Sequence, residues 1–183
     1  GDAAVGAAAS ANYRAQFGSF TTNVPELEVI VNGGNQNLGT FGVSSTATAT
    51  AVIKVRSYLS DGYGLQITGS PPSQGVHALQ ALTTPTTSHA GAEQFGINLR
   101  ANTAPAVGAD PVQVPSGAFS NGTPTAKYDT PNLFMYNDGD QVASSTTSTG
   151  ENDYTVSMIF NISDTTPAGH YTGTISAVAV ANY

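Results

Sequence analysis

Tyr154-Thr-Val-Ser-Met-Ile-Phe-Asn-Ile-Ser163 is the stretch that decides the fold. Tyr154, Val156, Met158, Phe160 and Ile162 fall on one face of an extended chain, and Thr155, Ser157, Asn161 and Ser163 on the other. Successive side chains of a strand point to opposite sides, so this period of two marks a half-buried strand. Asp164-Thr-Thr-Pro-Ala-Gly169 interrupts it with turn chemistry. His170-Tyr-Thr-Gly-Thr-Ile-Ser-Ala-Val-Ala-Val-Ala-Asn-Tyr183 resumes as an almost uncharged run of small residues. The two runs are expected to form a closing hairpin at the centre of the fold.

The same period recurs upstream. Residues 45–59 alternate Ala47, Ala49, Ala51, Ile53 and Val55 with Thr46, Thr48, Thr50, Val52, Lys54 and Arg56. Ser60-Asp-Gly62 supplies a turn, and Tyr63-Gly-Leu-Gln-Ile-Thr68 returns with Tyr63, Leu65 and Ile67 together, which predicts a second hairpin. Glu26-Leu-Glu-Val-Ile-Val31 is a short strand closed by Asn32-Gly-Gly-Asn35. Further strands are expected at 38–43, at 93–101 with Phe95, Ile97 and Leu99 inward, and at 132–136, where 141–144 would pair with its neighbour. Strands recur between turn signals and no segment shows a 3.6-residue period. That pattern predicts an all-β, antiparallel β-sandwich, immunoglobulin-like or jelly-roll, over residues 21–183.

Ahead of it, residues 1–20 read as an extended N-terminal arm. Residues 1–12 are rich in Ala and Gly and offer no bulky apolar face to pack. They read either as a floppy terminus or as an arm ordered by docking on another subunit, where small side chains fit a narrow groove. Tyr13, Ala15 and Phe17 then share one side of a short possible strand.

Composition narrows the function. The 183 residues are 39% hydrophobic, enough for a core, but only 9% are charged, against roughly 25% in an average domain. Thr, Ser, Asn and Gln supply the polar surface, which suits packed or surface-attached proteins. The net charge is −7. Arg14, Lys54, Arg56, Arg100 and Lys127 are too few to track a phosphate backbone, so nucleic acid is not an expected partner. The chain has no cysteine, hence no disulfide, thiol nucleophile or thiolate metal site. No run approaches the length of a membrane-spanning helix. The start at Gly1-Asp-Ala-Ala, without Met, points to an exported chain whose signal peptide has been removed, placed outside the cell or on its surface.

No catalytic site is expected. His77, His89 and His170 lie at no metal-ligand spacing from one another, and there is no Gly-x-Ser-x-Gly elbow. Asp138, Asp140, Glu151 and Asp153 are the one candidate set for a cofactor, since loop carboxylates can hold Ca²⁺ if the intervening segment folds back. Asn137-Asp-Gly-Asp140 is first of all a turn sequence, however. Asn121-Gly-Thr123 and Asn161-Ile-Ser163 are formal glycosylation sequons, with Asn161 on the outward face of its strand. Tyr128, Tyr136, Tyr154, Tyr171 and Tyr183 are expected to pack in the core or at its rim, and Tyr171 to fix the Pro-Ala-Gly turn through its hydroxyl.

Thr166-Pro-Ala-Gly-His-Tyr-Thr-Gly-Thr-Ile175, with the alternating strand after it, resembles the last strands of spore-coat-U-like and related pilin domains. Leu38-Gly-Thr-Phe, Thr46-Ala-Thr-Ala-Thr, Val55-Arg-Ser-Tyr, Gly62-Tyr-Gly-Leu-Gln-Ile-Thr-Gly69 and Glu93-Gln-Phe-Gly-Ile-Asn98 are similar to WxL-type bacterial surface domains. The tryptophan motif that names the latter is absent, as the chain has no Trp. The resemblance implies a sandwich exported to the cell surface. In pilin-like relatives one subunit's terminal segment fills a missing strand of the next. It therefore implies a homopolymer with Ala3, Ala4, Val5, Ala7, Ala8, Ala9, Tyr13, Ala15 and Phe17 as the polymerisation arm. Ile175, Val178 and Val180 would then belong to the acceptor strand. The alternative expectation is a monomeric module that binds cell wall or glycan.

Overall fold

The computed structural model describes residues 27–58, 60–114 and 119–183, and the backbone alone of 6–9 and 14–17. In chain order the early strands are β1 (Gly6–Ala9), β2 (Arg14–Phe17), β3 (Glu28–Asn32), β4 (Ala47–Ser57) and β5 (Tyr63–Gly69). β6 (Ser73–Gln74), β7 (His77–Ala78), β8 (Gln94–Asn98), β9 (Asn102–Thr103) and β10 (Ala106–Val107) follow. The last are β11 (Val112–Val114), β12 (Thr123–Pro124), β13 (Gln141–Ser145), β14 (Thr149–Asn161) and β15 (Ile175–Ala181). All their ladders are antiparallel. No helix occurs among the described residues.

Two sheets make a sandwich. β14 is the spine of the first: β4 lies along one side from Phe160↔Ala47 to Thr149↔Ser57, and β8 and β11 share the other. β3 closes that sheet beyond β4. The second sheet runs β12-β13-β5-β15. The core lies between them: Ile53, Val55, Tyr154 and Val156 from one sheet belong to the same buried cluster as Tyr63, Leu65, Ile67 and Ala143 from the other. Phe95 is its aromatic node, with ring centroids 4.9 Å from Tyr136 and 5.4 Å from Phe160.

The apolar alternation therefore holds, but the expected hairpins do not. β4 and β5 pair with different strands in different sheets. Their apolar faces meet across the core instead of lying side by side. The chain changes layer at buried Ser57 and Ser60, whose hydroxyls bond each other, and at Gly62, whose φ of 111° a residue with a Cβ rarely adopts. The closing pair is split likewise. β14 is central, as expected, yet among the described residues β15 is an edge strand paired only to β5. Residues 162–174 are too long for a tight hairpin. They cross to the second sheet, and on the way Thr172 bridges Ser73 of the small β6-β7 pair.

Three local expectations are also corrected. Residues 38–43 form no strand, and Leu38 and Phe41 pack half-buried against the core from an irregular segment. Phe134 and Met135 make only isolated bridges, to Thr86 and to Ile97. β13 pairs with β12 and β5 rather than with that segment. Finally, Asn161 faces inward. The excursions around residues 80–110 cover the far face of β14, so Ser157, Ile159 and Asn161 are all buried, and Asn161 Nδ2 donates to Ser88 Oγ and Gln94 Oε1. Asn121 of the other sequon is exposed, with its amide donating to Thr147.

A candidate strand-docking site

Edges of sheets carry unpaired N–H and C=O groups, and proteins blunt them by shortness, charge, proline or cover. Most edges here are blunted. β11 has three residues, β12 has two and contains Pro124, and the outer side of β8 is capped by bridges from Ala81 and Met135. β3 and β15 are different. Among the described residues, no strand pairs with the outer edge of either.

These two open edges neighbour each other on one flank of the sandwich, one from each sheet. β15 is seven residues long, Ile-Ser-Ala-Val-Ala-Val-Ala, with no charge, no proline and no register shift along β5. Its side chains alternate: Ile175, Ala177 and Ala179 lie half-buried against the core, while Val178 and Val180 are 43% and 53% exposed on the outer face. The three expected acceptor residues therefore lie on one strand but not on one face. On β3, Val29 pairs with Val55 and Val31 with Ile53, two buried core residues. Directly opposed residues share a face. Val31 thus sits on the core side of its sheet, yet it is 54% exposed. The core is uncovered at that point of the flank.

Of the expected arm, Ala3, Ala4, Val5 and Tyr13 lie outside the described residues. Ala7, Ala8 and Ala9 belong to β1, and Ala15 and Phe17 to β2. β1 and β2 pair with each other, Gly6↔Phe17 through Ala9↔Arg14, and no described ladder joins them to either sheet.

The four acidic candidates do not assemble. Asp138 Oδ1 accepts the Gly69 N–H at 2.9 Å, and Asp140 Oδ2 accepts the Tyr128 hydroxyl at 3.0 Å beside Asn137 and Lys127. Burial opposes the charged form of Asp140, but the bonds from Asn137 and Tyr128 prevail and hold its carboxyl below the ordinary value. Glu151 and Asp153 instead flank Lys54, at 3.0 and 2.8 Å. The bonds from Asp153 and Glu151 raise the ammonium above its usual value, and that from Lys54 lowers Glu151. These are ion pairs across neighbouring strands. Among the described residues no three His, Cys, Asp or Glu side chains are placed to hold a metal ion.

Two polar groupings escaped the sequence reading. Glu93 accepts the Thr166 hydroxyl at 2.5 Å, His77 Nε2 at 2.9 Å and the Gln80 N–H at 3.1 Å, tying the β14–β15 crossing to the β7 segment. Tyr171, edge-on to His77, donates to the Pro167 carbonyl at 2.9 Å and so fixes the turn as expected. Between the sheets the Tyr63 and Tyr154 hydroxyls meet at 2.7 Å, both fully buried. Nothing in a two-residue period distinguishes such a pair from ordinary core tyrosines. Comparison with known proteins finds no matching family model, no similar curated protein and no similar solved structure.

Proposed function

We propose that the protein is an extracellular structural subunit that builds a pilus-like filament or surface fibre, the N-terminal arm of one copy adding as a strand to the open flank of the next. The observation that carries this reading is the uncharged, unblunted edge of β15 beside the open edge of β3. A long apolar edge left bare templates indiscriminate association, and a strand that occupies it forms a main-chain ladder and buries alternate side chains. One arm and one acceptor flank per chain make a head-to-tail contact. Such contacts propagate when they do not close into a ring. Removing residues 1–20 tests it. The truncated chain should stay folded and elute as a monomer while the full chain forms fibres in negative-stain micrographs. Fibres formed by the truncated chain would refute the reading.

A second reading, a monomeric module for cell-wall glycan, draws on a different feature. Tyr58 and Phe119 stack at 5.8 Å and 10° between planes, with Phe119 46% exposed and Arg56 over the Tyr58 ring. It predicts saturable binding of monomer to cell-wall polysaccharide, lost in Phe119→Ala.

A further inference from the structure

We infer that two copies of the chain pair through β15, antiparallel about a two-fold axis at Ala179, so that their four-stranded sheets join into one. The pairing goes beyond the filament reading and needs no arm. An incoming arm and a second β15 compete for the same edge.

Three observations carry it. First, the main chain of β15 presents its free groups at the residues such an axis requires. Ile67 of β5 donates its N–H to the Asp140 carbonyl and accepts the Gly139 N–H, both on the β13 side. Ala177 opposes Ile67, so its own N–H and C=O take no partner from β5 and point off the edge. The pattern alternates, and the same holds for Ile175, Ala179 and Ala181. Asn182 agrees with it: its N–H donates to the Gly62 carbonyl and its C=O accepts the Asp61 N–H, both inward. Second, Ala177-Val178-Ala179-Val180-Ala181 reads the same in both directions. Turned about Ala179, it sets Ala179 against its own copy, and Ala177 against Ala181 of the second copy, through those outward groups. Val178 then opposes Val180 of the second copy, and Val180 opposes Val178. Directly opposed residues share a face, so the valines, both exposed in a single copy, cover one another on the outer side. Third, each copy carries a net charge of −7, and like charges brought together oppose association. None of the strands β12, β13, β5 and β15 contains a charged residue. One seven-residue ladder is a small contact, of the kind that exchanges rapidly, so the pairing comes apart on dilution.

Covalent capture reads the register directly, since no native cysteine competes. Full-length Val178→Cys and Val180→Cys chains, one of them isotope-labelled, are mixed and oxidised, and the dimers are identified by intact mass spectrometry. Side chains opposed in a non-hydrogen-bonded pair lie within disulfide reach. Unlike dimers should therefore form at least about tenfold faster than like dimers, as expected of cysteines held at high effective concentration. Ala179→Pro in both chains is the control. Its missing N–H is one that points off the edge, so the β5 ladder should survive while the cross-link is lost. Equal rates for like and unlike dimers, or an undiminished cross-link in the folded Ala179→Pro chains, would overturn the inference. Fibres from the unaltered chain without the cross-link would overturn the pairing and leave the filament reading standing. The cross-link in a chain that forms no fibres would do the reverse.

Discussion

Adding a single methyl group at Gly122 tests whether the Tyr63–Tyr154 pair pins the two sheets together. The Gly122 N–H donates to Asn152 Oδ1 at 2.9 Å, which presses this backbone onto the hydroxyl pair. A Cβ there would lie well inside contact distance of both tyrosine oxygens and 2.9 Å from Asn152 Cγ. Neither ring can swing away, since both are fully buried. Overpacking of this kind costs about 1–3 kcal/mol. If the hydroxyls are the obstacle, removing them should relieve it. Tyr63→Phe/Tyr154→Phe takes away both partners of that bond, and the Asn152 amide, which also bonds Tyr63, keeps its bonds to Thr149 and Gly150, so the pair should cost about 1 kcal/mol. In that background Gly122→Ala should cost at least about 1 kcal/mol less than in the natural chain, a coupling expected only of groups in contact. Urea unfolding of the four chains, with a constant m-value, gives the cycle directly. A Gly122→Ala change within about 0.5 kcal/mol, or an equal cost in both backgrounds, would refute the account of the pinned interface.

The remaining predictions concern the edge and the titratable groups. Val178→Lys/Val180→Lys places charge on an exposed edge, so stability should shift by no more than about 0.5 kcal/mol per site while sedimentation shows assembly suppressed; unaltered assembly would remove β15 from the contact. Burial pushes Tyr63 up to about 12, against the bonds from Tyr154 and Asn152, and burial with the nearby Asp138 charge pushes Tyr136 up to about 12. These phenols hold their protons more tightly folded than unfolded, so their stabilisation is complete below pH about 10 and lost as pH rises toward 12. Tyrosinate absorbance should therefore rise together with loss of structure; ionisation of a still-folded chain near pH 10 would contradict it. At the other end, burial opposes ionisation of Glu93, but Thr166 and His77 outweigh it and lower its pKa. That contribution is present above the ordinary carboxyl value of about 4.3 and fades as pH falls below it. Glu93→Gln should flatten the acid limb of the stability profile, and an unchanged limb would show that the cluster does not matter.

Much of the strand content is legible in the sequence because burial on one face imposes a period of two. Residues 154–161 and 63–68 read correctly as strands for that reason, with 162 and 163 already in the crossing, and Phe95, Ile97 and Leu99 point inward as their spacing implies. Pairing is not legible. A strand with one apolar face is satisfied equally by a hydrogen-bonded neighbour or by a facing sheet, and β4 and β5 take the second course. The inward turn of Asn161 is invisible for a related reason. A polar residue on the far face of β14 reads as solvated until segments distant in sequence, the loop at Ser88 and the neighbouring strand β8 at Gln94, come beside it and supply its partners.

The candidate site divides along the same line. Local chemistry dictates that 175–181 is an uncharged alternating strand and that the first residues of the chain have little to pack. Whether such a strand sits at the centre or on the flank depends on which others outcompete it for partners. β14, longer and bulkier, takes β4, β8 and β11, and among the described residues β15 is left with β5 and an open side. Alternation is a property of each strand alone, whereas an edge is defined by every ladder in the sheet, and only the assembled fold sets it.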